Sequence, residues 1–171
     1  MAQWGARNPR TPKDYQGTRA RAGAAIHYPA LSSDSALEGP ALGAPLSRVL
    51  VVDDEPDIRF VVRLGLEAAG LFAAVAGSAA EALTVAEAFG PQLILLDVEM
   101  PGIDGLATLE MLRRQPGGRA ARVAFLTARA DPGAVRALRQ ANVVEVLVKP
   151  IDPLRLGDLL RELWRREGGE G

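Results

Sequence analysis

Short segments of almost wholly apolar residues recur along the chain from residue 48 onward, and amphipathic stretches separate them. Four of these segments are RVLVV (48–52), QLILL (92–96), RVAFL (122–126) and EVLV (145–148). Segments of this length that are apolar on both faces are typical of β-strands in a sheet covered by helices on both sides. LFAAVA (71–76) is alanine-rich and also fits a helix, but its position between Gly70 and Gly77 favours a fifth strand.

Each predicted strand is followed by a helix start signal: a proline in the first turn, a capping box or a capping aspartate. These signals stand at Pro56, Ser78 with Glu81, Asp104, Asp131-Pro132 and Asp152-Pro153. Five alternating strands and helices, (βα)5, predict an α/β fold with a parallel sheet. The expected strand order is that of doubly wound, flavodoxin-like sheets, 2-1-3-4-5, in which the ligand crevice lies at the carboxyl ends of strands 1 and 3.

Length and composition indicate a single folded domain. The chain has 171 residues, of which 48% are hydrophobic, and this length suits one core better than two ordinary ones. Residues 1–46 show no sustained periodicity and are predicted to be a disordered leader, 47–166 the folded domain and 167–171 a short disordered tail. No output domain is expected after the last helix.

Composition also disfavours several classes of protein. The absence of cysteine excludes disulfides and thiolate metal sites. No apolar run reaches the roughly 18 residues of a spanning helix, and no secretory signal precedes the domain, so the cytoplasm is the expected location. Residues 1–46 hold five basic and three acidic residues, a net charge of +2, which is too small to indicate nucleic-acid binding.

Polar side chains stand directly after four of the predicted strands. They are Asp53 and Asp54, Asp97, Thr127 and Lys149. Because the carboxyl ends of parallel strands meet at one edge of the sheet, these side chains are expected to converge. Three carboxylates about 4 Å apart repel by on the order of 10 kcal/mol, more than one lysine offsets, and an all-oxygen site of this kind suits Mg²⁺.

The lysine of this set is unusual for the chain. Arginine occurs 18 times and lysine twice, and the other lysine, Lys13, lies in the predicted leader. Lys149 therefore supplies the domain's one compact, mobile ammonium group at the edge where the carboxylates converge. A carboxylate in such a site can accept a phosphoryl group, because phosphoryl transfer depends mainly on positioning and on neutralising charge.

Four segments taken together resemble the receiver domain of two-component response regulators, in particular the single-domain, chemotaxis-regulator-like type. The segments are VVDDEPDIR, LILLDVEMPGIDGL, FLTARAD and VLVKP, and the similarity covers about residues 47–166. The resemblance implies that Asp97 is the phosphoacceptor and that Thr127 and Lys149 contact the phosphoryl oxygens. Such a protein is not an enzyme in the usual sense, since it catalyses only its own phosphorylation and dephosphorylation.

The resemblance also implies a magnesium site and two kinds of protein partner. Asp54, Asp97 and the backbone carbonyl of Glu99 would bind Mg²⁺, and Asp53 would act through water. The expected phosphodonor is a phosphohistidine on a histidine kinase or a histidine phosphotransfer protein, because the chain's one histidine, His27, lies in the predicted leader. A downstream target would bind about residues 131–166, and the protein is expected to be a monomer or a weak dimer.

Several positions beside the predicted site bear on how a receiver of this sequence would work. Val146 stands where the family often has an aromatic residue, so an aromatic rotamer switch is unavailable in its usual form. Asn142 replaces a frequent glycine and can also take the left-handed conformation. Glu99 and Arg129 are hypothesised to pair across the site and restrict the hydrolytic water. The resemblance further implies a cis peptide bond before Pro150.

Proteins of other classes share part of this pattern. A degenerate receiver that acts only as a phosphorylation-independent interaction module remains open. A phosphatase of the haloacid dehalogenase type needs a second aspartate two residues after the nucleophile, where this chain has Glu99. A dinucleotide-binding fold needs a glycine-rich first turn, which DDEPDI lacks.

Overall fold

The computed structural model describes residues 44–166 and residue 168. In chain order the elements are β1 Arg48–Val52, α1 Pro56–Ala68, β2 Phe72–Ala76, α2 Ala79–Phe89, β3 Leu93–Asp97, α3 Gly105–Arg113, α4 Pro116–Arg119, β4 Arg122–Thr127, α5 Pro132–Arg139, β5 Glu145–Val148 and α6 Pro153–Arg166. None of the helices in this part of the chain is both long and apolar enough to cross a membrane. Most of the predicted leader and tail lies outside the described residues, so both stay predictions.

The five strands form one parallel sheet in the order β2-β1-β3-β4-β5. This order confirms the predicted doubly wound fold. The alanine-rich segment is indeed a strand, β2, which lies at one edge of the sheet and pairs along its whole length with β1. Ala74 and Ala76 of this strand are buried in the same core as residues of α2.

Two hydrophobic cores lie on opposite faces of the sheet, because successive side chains of a strand point to opposite sides. In β1, Leu50 and Val52 belong to the core shared with α2, α3 and α5. Val49 and Val51 belong to the core shared with α1 and α6. The interior residues of β1 are therefore apolar on both faces of the sheet, as the sequence pattern indicates.

Helix starts follow the predicted signals closely. The caps at Ser78, Asp104, Asp131 and Asp152 each accept a hydrogen bond from a backbone N–H group in the first turn. The capping box of α2 is shifted by one residue, because Glu81 Oε2 accepts from the Gly77 N–H at 2.6 Å. These bonds satisfy N–H groups that a helix cannot satisfy internally.

The short helix α4 is not anticipated by the sequence signals, so six helices rather than five lie among the described residues. Two glycines follow Pro116, a composition typical of a turn. A Cβ atom on Gly117 would lie 2.5 Å from the Ala86 carbonyl oxygen, and one on Gly118 would lie 2.5 Å from that of Leu112. The glycines thus allow α4 to pack directly on α2 and α3.

The Gln92 side chain holds the segment before β1, residues 45–47, by hydrogen bonds. Its Oε1 accepts hydrogen bonds from both the N–H and the hydroxyl of Ser47, at 2.7 and 3.0 Å, and its Nε2 donates to the Pro45 carbonyl at 2.9 Å. Trp164 Nε1 of α6 donates to the Ala44 carbonyl at 2.8 Å. The last three residues of the predicted leader are therefore part of the packed domain.

Replacing Gln92 with alanine is expected to lower the free energy of unfolding by about 2 kcal/mol, because several hydrogen bonds at a largely buried position are lost together. Urea unfolding followed by circular dichroism measures the change. Gln140→Ala is the matched control, since Gln140 is exposed at the end of α5. Equal unfolding midpoints for the two variants would show that Gln92 does not fasten this segment.

Candidate functional site

The residues predicted to converge lie together at the carboxyl edge of the sheet. Asp53 directly follows β1, Asp97 and Thr127 are the last residues of β3 and β4, and Lys149 directly follows β5. The register of the paired strands brings the ends of neighbouring strands to within about one residue of each other along the sheet. Asp53, Asp97 and Thr127 are all buried. The site is thus built from rigid strand ends, which fix the backbone position of each group.

Lys149 lies between two buried carboxylates. Its Nζ atom is 2.8 Å from Asp53 Oδ2 and 3.1 Å from Asp97 Oδ1, and the side chain is 17% exposed. Burial acts to lower the pKa of Lys149, but the contacts with Asp53 and Asp97 outweigh it and raise the pKa above its usual value. Lys149 therefore carries a positive charge at neutral pH.

The acidic side chains at this edge fit a divalent cation. Asp53, Asp54 and Asp97 each offer a carboxylate oxygen within 4.8 Å of the others. Opposite oxygen ligands of Mg²⁺ lie about 4.2 Å apart, so small side-chain movements bring these atoms to one ion. Asp97 Oδ1 is buried and, despite the nearby ammonium group, makes no hydrogen bond of good geometry. An all-oxygen donor set with an unsatisfied buried atom suits Mg²⁺.

The carboxyl group of Asp97 has a raised pKa. Burial raises its pKa from 3.8 to about 6, and this effect exceeds the opposing influence of Lys149. The charges of Asp53 and Glu99 act in the same direction as burial. Asp97 thus remains ionised at neutral pH, but with less stabilisation than an exposed carboxylate receives from water.

Thr127 contacts Glu99. The Thr127 hydroxyl donates to Glu99 Oε1 at 2.9 Å, and the Ala128 N–H donates to Glu99 Oε2 at 3.2 Å. The Arg129 N–H donates to the Thr127 hydroxyl oxygen at 3.0 Å. The exposed Glu99 side chain therefore provides the acceptor for a hydroxyl that is completely buried.

Comparison with known proteins identifies the family. A family model of the response regulator receiver domain matches residues 49–161, about two thirds of the chain. The chain belongs to the response regulator receiver domain family. Among solved structures similar to this receiver is the chemotaxis protein CheY4 of Vibrio cholerae, with 29% identity, a TM-score of 0.63 and coverage of 69% of this chain and 98% of CheY4. A receiver domain of Francisella response regulator 1452 has 26% identity and a TM-score of 0.62, over 71% of this chain and 98% of that domain.

Two curated relatives of this receiver differ in how much of their own length the similarity covers. An uncharacterised 14.6 kDa protein of Leptolyngbya boryana is 38% identical over 114 residues, which cover 67% of this chain and 87% of that protein. The DNA-binding response regulator MtrA of Mycolicibacterium smegmatis is 32% identical over 123 residues, which cover 72% of this chain and 53% of MtrA. This chain therefore spans about half the length of MtrA, and the similarity concerns the receiver part.

Two expectations about the receiver's backbone are confirmed, and one about its side chains is not. The Lys149-Pro150 peptide bond is cis, and Asn142 adopts a left-handed conformation with φ of 55°. The hypothesised pairing of Glu99 with Arg129 is absent among the described residues, where no ion pair within 4.0 Å joins them. Glu99 contacts Thr127 and Ala128 instead, because these donors lie at the end of β4.

Val146 lies in the core rather than at the surface of the receiver. Its side chain is 6% exposed and packs in the same core as Phe125 and Leu138. A small β-branched residue at this place fills core volume and has no ring that could turn between a buried and an exposed position. This receiver is therefore built without an aromatic switch at residue 146.

The sequence signals did not predict one contributor to the receiver site, Gly105, or the long-range contacts of Arg113 at the opposite edge of the sheet. A Cβ atom on Gly105 would lie 2.3 Å from the Asp97 backbone carbonyl oxygen, so only glycine allows α3 to begin this close to the acceptor. Arg113, the last residue of α3, donates to the carbonyls of Ala141 and Asn142 at 2.8 and 2.7 Å, ahead of β5. Gly105, the second glycine of GIDG (102–105), is a local signal from which the close approach of α3 to Asp97 could have been predicted. No local sequence signal indicates which residues the Arg113 side chain contacts.

Proposed function

We propose that this receiver accepts a phosphoryl group on Asp97, in an Mg²⁺-dependent reaction, and signals through a changed protein-interaction surface. The observation that carries the proposal is the buried Asp97 carboxylate, which lies 3.1 Å from the Lys149 ammonium group and beside two further aspartates. A carboxylate placed among groups that can neutralise phosphoryl charge is suited to form an aspartyl phosphate. The phosphodonor would be a phosphohistidine of a histidine kinase or of a phosphotransfer protein.

The transfer step follows from the chemistry of the two groups. An Asp97 carboxylate oxygen attacks phosphorus, the O–P bond forms, and the P–N bond of the phosphohistidine breaks with its electron pair going to the imidazole. The attacking oxygen must be ionised, which a pKa of about 6 allows at neutral pH. Lys149 remains cationic and would neutralise part of the negative charge of the phosphoryl oxygens.

Asp54, Asp97 and the Glu99 carbonyl would hold the magnesium ion, with Asp53 in support. When bound, Mg²⁺ supplies positive charge that offsets the carboxylates and the phosphoryl oxygens. Asp53 also accepts the Glu55 N–H at 2.9 Å, so the acid that contacts Lys149 is tied to the start of α1. The protein groups would thus position the reacting atoms, and the cation would offset the negative charge of the carboxylates and the phosphoryl oxygens.

We place the output surface on residues 131–166, which comprise α5, β5 and α6. β5 is an edge strand of the sheet, and Val148, the residue before Lys149, is 39% exposed. A cavity of about 230 Å³ beside it is lined by Leu147, Val148, Pro150, Ile151, Arg155 and Leu159. Because Lys149 and Pro150 join the site to this surface, movement of the lysine towards a phosphoryl group would be transmitted there.

Incubation with acetyl phosphate and Mg²⁺, followed by intact mass measurement, tests the proposal. A gain of one phosphoryl group is expected with Mg²⁺ and none after chelation of the metal. Borohydride reduction converts an acyl phosphate to an alcohol and marks the residue, which is expected to be Asp97. Absence of any gain would favour the interaction module that needs no phosphorylation, and a gain at another residue would move the acceptor elsewhere.

A further inference from the structure

The carboxylate of Glu99 bridges two adjacent donors at the end of β4. One oxygen accepts the Thr127 hydroxyl at 2.9 Å and the other accepts the Ala128 N–H at 3.2 Å. Thr127 is fully buried, so its hydroxyl requires an acceptor, whereas Glu99 is exposed and can leave without breaking the core. The Thr127 hydroxyl therefore needs an acceptor in the folded protein, whereas the Glu99 carboxylate can be solvated by water instead.

These two donors lie beside the acceptor aspartate. β3 and β4 are neighbours, with Asp97 paired to Leu126, so Thr127 is the next residue along β4. The Lys149 backbone N–H donates to the Thr127 carbonyl at 2.8 Å, which joins the end of β4 to the residue that neutralises Asp97. An anion attached to Asp97 would therefore meet the donors that Glu99 now occupies.

We propose that the Glu99 carboxylate is an internal placeholder for the phosphoryl group, which holds the Thr127 hydroxyl and the Ala128 amide until phosphorylation of Asp97 displaces it. This inference rests on the proposed phosphoacceptor function. Glu99 acts here as a positioning residue, because its side chain works through Thr127 and Ala128 and does not touch the reacting atoms.

The Glu99 carboxylate and a phosphoryl group on Asp97 compete for the same hydrogen of the Thr127 hydroxyl. A threonine hydroxyl has one hydrogen, so it cannot donate to Glu99 and to a phosphoryl oxygen at the same time. The Arg129 N–H already donates to the hydroxyl oxygen at 3.0 Å, which leaves that hydrogen as the hydroxyl's contribution to an anion. Phosphorylation therefore exchanges one pair of charge-assisted hydrogen bonds for another, and the resting state competes with the phosphorylated one.

Glu99→Gln tests the placeholder, because glutamine keeps the size and one acceptor oxygen but loses the charge. Beryllofluoride with Mg²⁺ serves as the probe, since it imitates a phosphoryl group on a carboxylate. Its apparent dissociation constant, followed by amide NMR, is expected to fall by about fivefold to tenfold in Glu99→Gln. Glu99→Ala, which removes both acceptor oxygens, is expected to change it at least as much.

Glu55→Gln is the matched control for general charge repulsion. Glu55 Oε1 lies 4.0 Å from Lys149 Nζ, so this variant removes one carboxylate from the same rim without touching Thr127. Its effect on beryllofluoride binding is expected to be about twofold or less, as for other exposed charges. Equal gains in Glu99→Gln and Glu55→Gln would overturn the placeholder and leave only a charge effect.

A second measurement separates this inference from the proposed function. In the metal-free, unphosphorylated protein, the Ala128 amide proton resonance is expected to move upfield in Glu99→Gln and to stay in place in Glu55→Gln. An unmoved Ala128 resonance would overturn the inference even if the protein is phosphorylated normally. Failure of the native protein and of every variant to bind beryllofluoride would instead overturn the phosphoacceptor function. Binding in Glu99→Gln but not in the native protein would support the placeholder.

Discussion

Asp97→Asn is expected to abolish phosphorylation by acetyl phosphate and, at the same time, to stabilise the metal-free protein by about 3 kcal/mol near neutral pH. The first effect follows because an amide is not a nucleophile for phosphorus under these conditions. The second follows because burial raises the pKa of Asp97 from 3.8 to about 6, so the ionised carboxylate destabilises the folded protein at neutral pH. Asparagine removes the buried negative charge and keeps the shape.

The stabilising effect of Asp97→Asn depends on pH in a defined direction. Between 3.8 and about 6 the folded protein holds the Asp97 proton more tightly than the unfolded chain does, so stability of the native protein falls as the pH rises through this range. The difference between asparagine and aspartate is therefore small near about pH 4 and reaches its full size above about pH 6.5. Urea unfolding at several pH values, with a chelator present, measures it.

Asp104→Asn is the control for this substitution. Asp104 caps α3 from an exposed position, and asparagine caps helices about as well as aspartate. The control is expected to retain phosphorylation and to change stability by less than about 0.5 kcal/mol at each pH. A pH-independent stability difference for Asp97→Asn would contradict the raised pKa, and retained phosphorylation at the same yield would contradict the assignment of the acceptor.

Lys149→Met is expected to have the opposite effect on stability and to lower it. The ammonium group lies 2.8 Å from Asp53 and 3.1 Å from Asp97, whose side chains are 0% and 2% exposed. Its removal leaves two buried carboxylates without their cation, a change that typically lowers the free energy of unfolding by about 3–5 kcal/mol. Saturating Mg²⁺ is expected to restore much of this loss, and phosphorylation is expected to slow on the order of a hundredfold.

The pair between Arg139 and Glu145 offers a control with the same contact distance. Its nitrogen and oxygen atoms are also 2.8 Å apart, but the two side chains are 60% and 24% exposed. Arg139→Met is therefore expected to cost less than about 1 kcal/mol and to respond little to Mg²⁺. Similar losses in Arg139→Met and Lys149→Met would show that burial of the carboxylates does not govern the stability of the site.

Most of the fold could be predicted because each signal is local. Strands whose central residues are apolar on both faces indicate helices on both sides of the sheet, and the caps at Ser78, Asp104, Asp131 and Asp152 indicate where helices begin. Asp53, Asp97, Thr127 and Lys149 could be placed together because parallel strands share one carboxyl edge. Helix α4 was not predicted, because in a sequence the glycines that permit close packing cannot be told from glycines that form a turn.

Side-chain partners at the site were less predictable than backbone positions. Glu99 was expected to pair with Arg129 by charge, yet it bonds a neutral hydroxyl and an amide at the end of β4. A buried donor with no other acceptor attracts a carboxylate more strongly than an exposed guanidinium does, and burial of Thr127 is a property of the assembled sheet. Gln92 and Arg113 show the same limit, since their bonds join residues far apart in sequence.

The bond from Trp164 to the Ala44 carbonyl places the entry to the domain beside the last turns of α6. Parallel strands begin at this pole and run towards the acidic crevice, about 17 Å away for a strand of five residues. A fluorophore or a surface tether attached at residue 44, or just after α6, would therefore sit on the far side of the molecule. Immobilised in that way, the receiver would leave the approach to Asp97 open to the proposed phosphodonor.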